Sequence, residues 1–167
     1  MTFEPLISAP LTIQIHVAAA LGALLLGPIA ILRKSRDRLH KTAGYLWIMS
    51  LVATAISSFW ISGMPVLGPF GPIHILSVFT LWGVADALRA ARQGRIAAHR
   101  AGMTMLYIYA LCLTAMLTLL PGRLMNRVIF DGAGGWGLIG LIVGIAAVVV
   151  IYRNRGVLPL GKVRGLL

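Results

Sequence analysis

Residues 15–41 read IHVAAALGALLLGPIAILRKSRDRLHK, and residues 73–100 read IHILSVFTLWGVADALRAARQGRIAAHR. Both stretches begin with Ile-His, continue through an apolar run, pass an arginine-rich turn and end in histidine followed by a basic residue. His16 and His40 are 24 residues apart, and His74 and His99 are 25 apart. Since 24 residues of helix rise roughly 36 Å, each pair is separated by enough chain to cross a bilayer. The repeat predicts a duplicated helical hairpin with one histidine near each membrane face per copy.

The composition predicts an all-α integral membrane protein. Apolar residues make up 59% of the 167 residues and charged residues only 11%, whereas soluble domains carry about a quarter charged residues. Between Arg38 and Arg89 the only charged residues are Lys41 and Asp86. The net charge of +11 would suggest nucleic acid in a soluble protein, but these basic residues flank apolar runs. We therefore expect one membrane domain over residues 1–167, embedded in lipid, and no nucleic-acid binding.

Five apolar stretches are each near the length of about 20 residues that spans a bilayer. The first four form the duplicated hairpin within the predicted five-transmembrane-helix bundle. A Gly-x-x-x-Gly step in the fifth stretch, Gly140 and Gly144, could mark a close helix contact within the bundle or in a homo-oligomer. The predicted spans are about 10–32, 42–61, 72–91, 98–120 and 136–152.

The basic residues predict the orientation. Thirteen of the 15 lysines and arginines fall on one side of the five spans, and Arg123 and Arg127 fall on the other. The positive-inside rule then places the N-terminus outside and the C-terminus in the cytoplasm. The first residues lack the basic region of a cleavable signal peptide, so the first span should remain. We expect a multi-pass protein of the bacterial inner membrane.

The histidines suggest cofactor ligands. If the two hairpins are related by an axis along the membrane normal, His16 opposes His74 near the outer face and His40 opposes His99 near the inner face. Two facing imidazoles suit the axial positions of haem iron, so the sequence suggests two b-type haems. Ala20, Ala23 and Gly27 continue the His16 face as a stripe of small residues that would leave room for a flat macrocycle. Haem propionates would favour three basic residues: Lys41 and Arg100 at the inner face and Arg123 at the outer face.

Other interpretations stay open. Lys41 and Arg100 also serve as topology signals, and zinc or copper could replace haem, although zinc usually needs a third or fourth ligand. Asp86 either pairs with Arg89 one turn away or acts in a proton relay or a quinone contact. Besides an electron carrier, alone or in a respiratory or photosynthetic complex, the chain could be a cofactor-free accessory or assembly subunit. It could also be a small transporter or metal handler, and whether it is an enzyme stays undecided.

Short motifs resemble those of a large bacterial family of predicted membrane proteins of unknown function. They are Gly27-Pro28 after an intramembrane histidine, then Leu39-His40-Lys41-x-x-Gly44-Tyr45, His99-Arg100-x-x-Met103, and Pro121-Gly122-Arg123 with Phe130. Lys41 stands where arginine is more usual in that family. The resemblance runs from about His16 to Phe130 and implies a membrane fold without an assigned activity. A looser, architectural likeness links the four histidines to ascorbate-dependent dihaem b-type cytochromes, which place four histidines on four helices, two near each face.

Overall fold

A computed structural model describes residues 2–33, 35–61, 68 and 71–130, together with positions 139, 142, 146 and 150, which are helical. All regular structure in these ranges is helical, and they contain no strand. The chain divides into two compact units, residues 3–115 and residues 1–2 with 116–167. The helices of the first unit are α1 (Glu4–Ile7), α2 (Leu11–Leu32), α3 (Arg38–Ser57), α4 (Pro72–Arg92) and α5 (Ile96–Met105).

The fourth long helix is not uniform. After α5 the chain continues through a π-helical stretch, Leu106–Cys112, into α6 (Leu113–Thr118). A 3₁₀ turn, Ser58–Trp60, likewise extends α3. In the second unit, α7 covers Leu124–Phe130.

Four helical stretches in the described residues are long and apolar enough to cross a membrane, which confirms a multi-pass membrane protein. They coincide with the first four predicted spans to within four residues. The predicted fifth span at 136–152 lies outside the described residues except for four helical positions within it. The four stretches are Leu11–Leu32, Arg38–Trp60, Ile73–Arg92 and Ile96–Thr118.

Within residues 3–115 the helices pack chiefly against their neighbours in the chain. α2 lies along α3, and α4 lies along α5; α3 also packs on α4, and α2 contacts the π-helical stretch. The buried side chains include Trp47 and Leu51 of α3. Large apolar side chains such as Leu25, Phe79 and Trp82 are exposed, as expected for helices whose outer faces meet lipid rather than water.

Gly27, Trp47 and Tyr107 meet where α2, α3 and the π-helical stretch come together. A Cβ atom at position 27 would overlap the Tyr107 ring and lie 3.1 Å from Trp47 Nε1. The Trp47 and Tyr107 rings pack edge to face with their centroids 6.3 Å apart. The small-residue stripe predicted below His16 thus ends at a position whose space holds an aromatic side chain. Trp47 is a packing residue, whereas Trp60 and Trp82 are exposed.

Candidate functional site

His40 and His99 make the same kind of hydrogen bond at the arginine-rich end of the first unit, where α2 leads into α3 and α4 into α5. His40 Nδ1 lies 3.0 Å from the carbonyl oxygen of Ala30 in α2. His99 Nδ1 lies 2.9 Å from the carbonyl oxygen of Ala87 in α4. Because a carbonyl oxygen only accepts, each Nδ1 must carry the proton and donate it. Each neutral imidazole is left with its lone pair on Nε2, the arrangement usual for metal-binding histidines.

Local sequence fixes where His40 stands. Asp37 is the N-cap of α3, and its Oδ1 accepts the His40 backbone N–H at 3.0 Å. Arg33 forms an ion pair with Asp37 across the turn. The Arg33 guanidinium holds the pKa of the Asp37 carboxyl well below its usual range, and the hydrogen bond from His40 N–H lowers that pKa further. The charged cap therefore persists at neutral pH and sets the first turn of α3.

His40 and His99 differ in the space around the glycine that follows each of them. A Cβ at Gly102, three residues after His99, would lie 3.1 Å from the Ala87 side chain. Gly102 therefore lets α5 approach α4 beside the hydrogen bond from His99 to Ala87. A Cβ at Gly44, four residues after His40, would meet no atom within 4 Å. The space beside His40 is thus open at Gly44, and the space beside His99 is occupied at Gly102.

His16, at the opposite end, bonds to the end of α3. Its Nδ1 lies 3.0 Å from Ser57 Oγ. The Ser57 hydroxyl donates to the Ala53 carbonyl at 2.7 Å, so its oxygen accepts the proton of His16 Nδ1. His16 therefore also keeps its lone pair on Nε2.

His74 differs from the other three. Its Nδ1 accepts the backbone N–H of Gly71 at 3.0 Å, and its own backbone N–H donates to the Gly71 carbonyl. This reciprocal pair caps the N-terminus of α4. An accepting Nδ1 places the proton of the neutral ring on Nε2. In this arrangement His74, which is 5% exposed, offers no free lone pair to iron.

The structure brings His16 and His74 to the same segment, residues 57–59, and keeps His40 and His99 within their own hairpins. His16 contacts Ser57, and the His74 ring packs against Phe59 with centroids 5.8 Å apart. The hydrogen bond of the His40 ring stays within the first hairpin, and that of the His99 ring stays within the second. Among the described residues, no three histidine, cysteine or carboxylate side chains are grouped so that they could hold a metal ion.

The charged candidates occupy separate places. Lys41 and Arg100 are exposed in the first turns of α3 and α5, each next to its histidine in sequence. Arg123 belongs to the second unit and is half-buried. Asp86 is exposed on α4, and in the described part of the chain no ion pair joins it to Arg89. The expected local pair is therefore not formed in this structure.

Sequence reasoning missed the hydroxyl groups near the His16 end. Ser57, Ser58 and Ser77 are all buried, and each sits within one turn of an aromatic or histidine residue. The available signal was polar residues spaced along otherwise apolar helices. It has low value alone, because serine and threonine can satisfy themselves on the carbonyl four residues earlier in any membrane helix.

The comparisons with known proteins give a family and no relative of known activity. No curated protein and no solved structure matches the chain. The model of one family, described as "Predicted membrane protein (DUF2306)", matches residues 13–153 and so includes all four histidines. The match extends over most of the sequence and agrees with the four apolar helices. The chain belongs to this family of predicted membrane proteins of unknown function.

Proposed function

We propose that the protein is a b-type haem-binding electron carrier of the bacterial inner membrane. The observation that supports this best is the matched pair of hydrogen bonds from His40 and His99 Nδ1 to the carbonyls of Ala30 and Ala87. A backbone acceptor on Nδ1 fixes the ring orientation and raises the basicity of Nε2, which favours binding to iron. Imidazole pairs are also suitable ligands for a haem that exchanges electrons without binding substrate.

The chain's own residues would divide the work at the inner site. Haem, when bound, supplies one-electron transfer. His40 and His99 would hold the iron through Nε2, and the carbonyls of Ala30 and Ala87 would keep the two rings from rotating. Lys41 and Arg100 would balance the propionate charge at the membrane surface.

The outer site, on His16 and His74, would bind haem less strongly. His16 has Nε2 available because Ser57 accepts the Nδ1 proton. His74 would have to release the N–H of Gly71 and move its proton from Nε2 to Nδ1 before Nε2 could bind iron. That exchange removes a cap from α4 and leaves a buried N–H to satisfy, which costs free energy. We therefore expect the inner site to load first.

The same hydrogen bonds support a duplicated hairpin. In both hairpins a histidine in the first turn or two of the second helix bonds back to an alanine carbonyl near the end of the first helix. The orientation that we propose has the N-terminus outside, because the arginine-rich turns then lie in the cytoplasm.

Haem content of the purified protein tests the proposal. We expect a Soret band and a pyridine haemochrome of haem b from protein made in haem-supplemented cells. His40→Gly and His99→Gly should each lose the inner haem, and added imidazole should restore a low-spin spectrum. Thr42→Ala, an exposed neighbour of His40, is the matched control and should keep full haem content. Monodisperse wild-type protein without haem b would overturn the proposal.

A second function is favoured by the role of His74. Its bonds with Gly71 satisfy the N-terminus of α4 without any ligand, which is what a cofactor-free accessory subunit would need. In that case His74→Ala should lower the melting temperature, while His40→Gly and His99→Gly leave binding to a partner complex intact. A transporter role has less support, because Asp86 is exposed on α4 and does not line the small cavity between α3, α4 and α6.

A further inference from the structure

A small, partly open cavity lies between α3, α4 and the helix formed by the π-helical stretch and α6. Its volume is about 30 Å³, far below the roughly 300 Å³ or more of a typical small-molecule pocket. Its lining residues on α3 and α4 belong to the half of the first unit nearer His16 and His74. Six of these residues are apolar and four carry hydroxyl groups: Thr54, Ser77, Thr80 and Thr114.

The four hydroxyl protons are already used. Thr54 donates to the Ser50 carbonyl at 2.8 Å, and Thr80 donates to the Leu76 carbonyl at 2.8 Å. Ser77 donates to the Ile73 carbonyl at 2.9 Å, and Thr114 donates to the Ala110 carbonyl at 2.6 Å. The three threonine hydroxyls therefore turn their protons toward their own helices, and the Ser77 proton points either to its own helix or to Ser58. The oxygens can offer the cavity only lone pairs, so a ligand there must donate hydrogen bonds or be a cation.

Ser77 also connects the cavity to a buried neighbour. Ser77 Oγ lies 2.6 Å from Ser58 Oγ, and Ser58 Oγ lies 2.7 Å from the Ala55 carbonyl. Together with the bond from Ser77 to Ile73, three contacts share two protons. One contact must therefore lack a proton at any moment, and the pair can exchange between two hydrogen-bonded arrangements. A donor in the cavity would stabilise the arrangement in which Ser77 turns its own proton toward Ser58.

Water fits these features better than a cation does. The described lining carries no charged side chain, and an unpaired cation inside a bilayer is costly. A water molecule needs about 10–15 Å³ of such volume and two to four polar partners, so this cavity has room for about two. We propose that the cavity is a hydration site, in which two water molecules donate to the hydroxyl oxygens of α3, α4 and α6. The proposal uses no histidine and does not depend on haem.

Magnetisation transfer from water to threonine methyl groups tests this. The protein would be labelled at threonine methyls and studied in lipid nanodiscs. We expect direct cross-relaxation with long-lived water at Thr54, Thr80 and Thr114. Thr80→Val, which keeps the side-chain shape and removes one acceptor, should reduce the signals of the other two methyls several-fold. Thr104→Val is the matched control, because Thr104 is buried and does not line the cavity; it should leave all three signals intact.

Two results would overturn the proposal. Wild-type protein with no water signal at the three methyls would show that the cavity is dry. Methyl shifts that respond to sodium or ammonium, and not to choline at equal ionic strength, would instead identify a cation site. Both measurements use wild-type protein, so they hold even if Thr80→Val does not fold.

Discussion

Pro28 leaves one carbonyl of α2 without its helical donor, and a distant tyrosine replaces it. In a regular helix the N–H of residue 28 would bond to the carbonyl of Leu24, but proline has no N–H. The Tyr107 hydroxyl donates to that carbonyl at 3.1 Å. The tyrosine therefore replaces the donor that the proline lacks, through a bond between residues 83 apart in the chain, Leu24 and Tyr107. Gly27, next to the proline, provides the space through which the Tyr107 ring reaches α2.

Tyr107→Phe should lower the free energy of unfolding by about 1 kcal/mol, since it leaves the part-buried Leu24 carbonyl without a partner. In a Pro28→Ala background the restored N–H at position 28 can bond to Leu24, so the same tyrosine change should cost less than half as much. Unfolding in mixed micelles, with all four proteins of the double-mutant cycle, measures this coupling. Equal costs in the two backgrounds would show that the tyrosine hydroxyl does not replace the missing donor.

Two glycine substitutions separate packing from helix propensity. Gly27→Ala should destabilise the protein by about 1–3 kcal/mol, because the new methyl group overlaps the Tyr107 ring and forces it to move. Gly44→Ala is the matched control; it adds a methyl group in open space, where alanine gains up to about 1 kcal/mol of helix propensity over glycine. The two melting temperatures should therefore shift in opposite directions. A similar shift at both positions would contradict the contact between Gly27 and Tyr107.

At the scale of the element, Asp37 decides where α3 begins. Its side chain caps the helix by accepting the His40 N–H, and its ion pair with Arg33 closes the turn from α2. The helix therefore starts at Arg38, four residues before the apolar run that predicted a start at 42. The start of a membrane helix can lie outside its apolar run when a polar cap satisfies the first N–H groups. His40 belongs to the first turn for this reason.

The pH dependence of stability should report this cap. The pKa of Asp37 is lowered in the folded protein from an unfolded value of about 3.9. Folding thus favours the charged form, and the resulting stabilisation is complete above about pH 5 and is lost as the pH falls from about 4 toward the folded pKa. Between pH 5 and 8, Asp37 should not contribute to any change in the wild-type melting temperature. At pH values below 4, the melting temperature should decrease.

Asparagine and alanine at position 37 distinguish the cap from the charge. Asn still caps a helix but does not titrate, so Asp37→Asn should show a smaller drop below pH 4 than wild type. Asp37→Ala removes the cap as well and should melt lower than Asp37→Asn at pH 7. Identical acid profiles for wild type and Asp37→Asn would rule out Asp37 as a source of the acid sensitivity.

The helices were easier to predict from the sequence than the side-chain hydrogen bonds that join them. Long apolar runs predicted all four described membrane helices, because no other local structure satisfies the backbone in lipid. The π-helical stretch at Leu106–Cys112 has no such signal, and its contacts with α2 join residues that are distant in sequence. The histidine frame predicted two histidines at each end, but not that His74 would cap α4 while His16 bonds to Ser57. Which ring nitrogen carries the proton is decided by partners that are distant in sequence.

At the scale of the whole molecule, the surface and the charges indicate how the chain meets its surroundings. Leu25 is 73% exposed and Trp82 is 68% exposed, so apolar side chains cover the outer faces of α2 and α4. The basic residues gather at the turns that join α2 to α3 and α4 to α5. A bilayer accepts such a surface, and its cytoplasmic leaflet attracts such turns because its lipids are anionic. These charges predict the orientation in the membrane, and sequence alone supplies them.

Reporter fusions should place residue 130 and residue 167 on opposite sides of the membrane. The five predicted spans, with 13 of 15 basic residues on one side, predict that position 130 lies outside and the C-terminus in the cytoplasm. Alkaline phosphatase should be active when fused after residue 130, and green fluorescent protein should fluoresce when fused after residue 167. A fusion after Gln93, between α4 and α5, is the internal reference and should behave as cytoplasmic. If the fusions at 130 and 167 report the same side, residues 136–152 do not cross the bilayer, and the even number of spans that remains would leave both termini on one side.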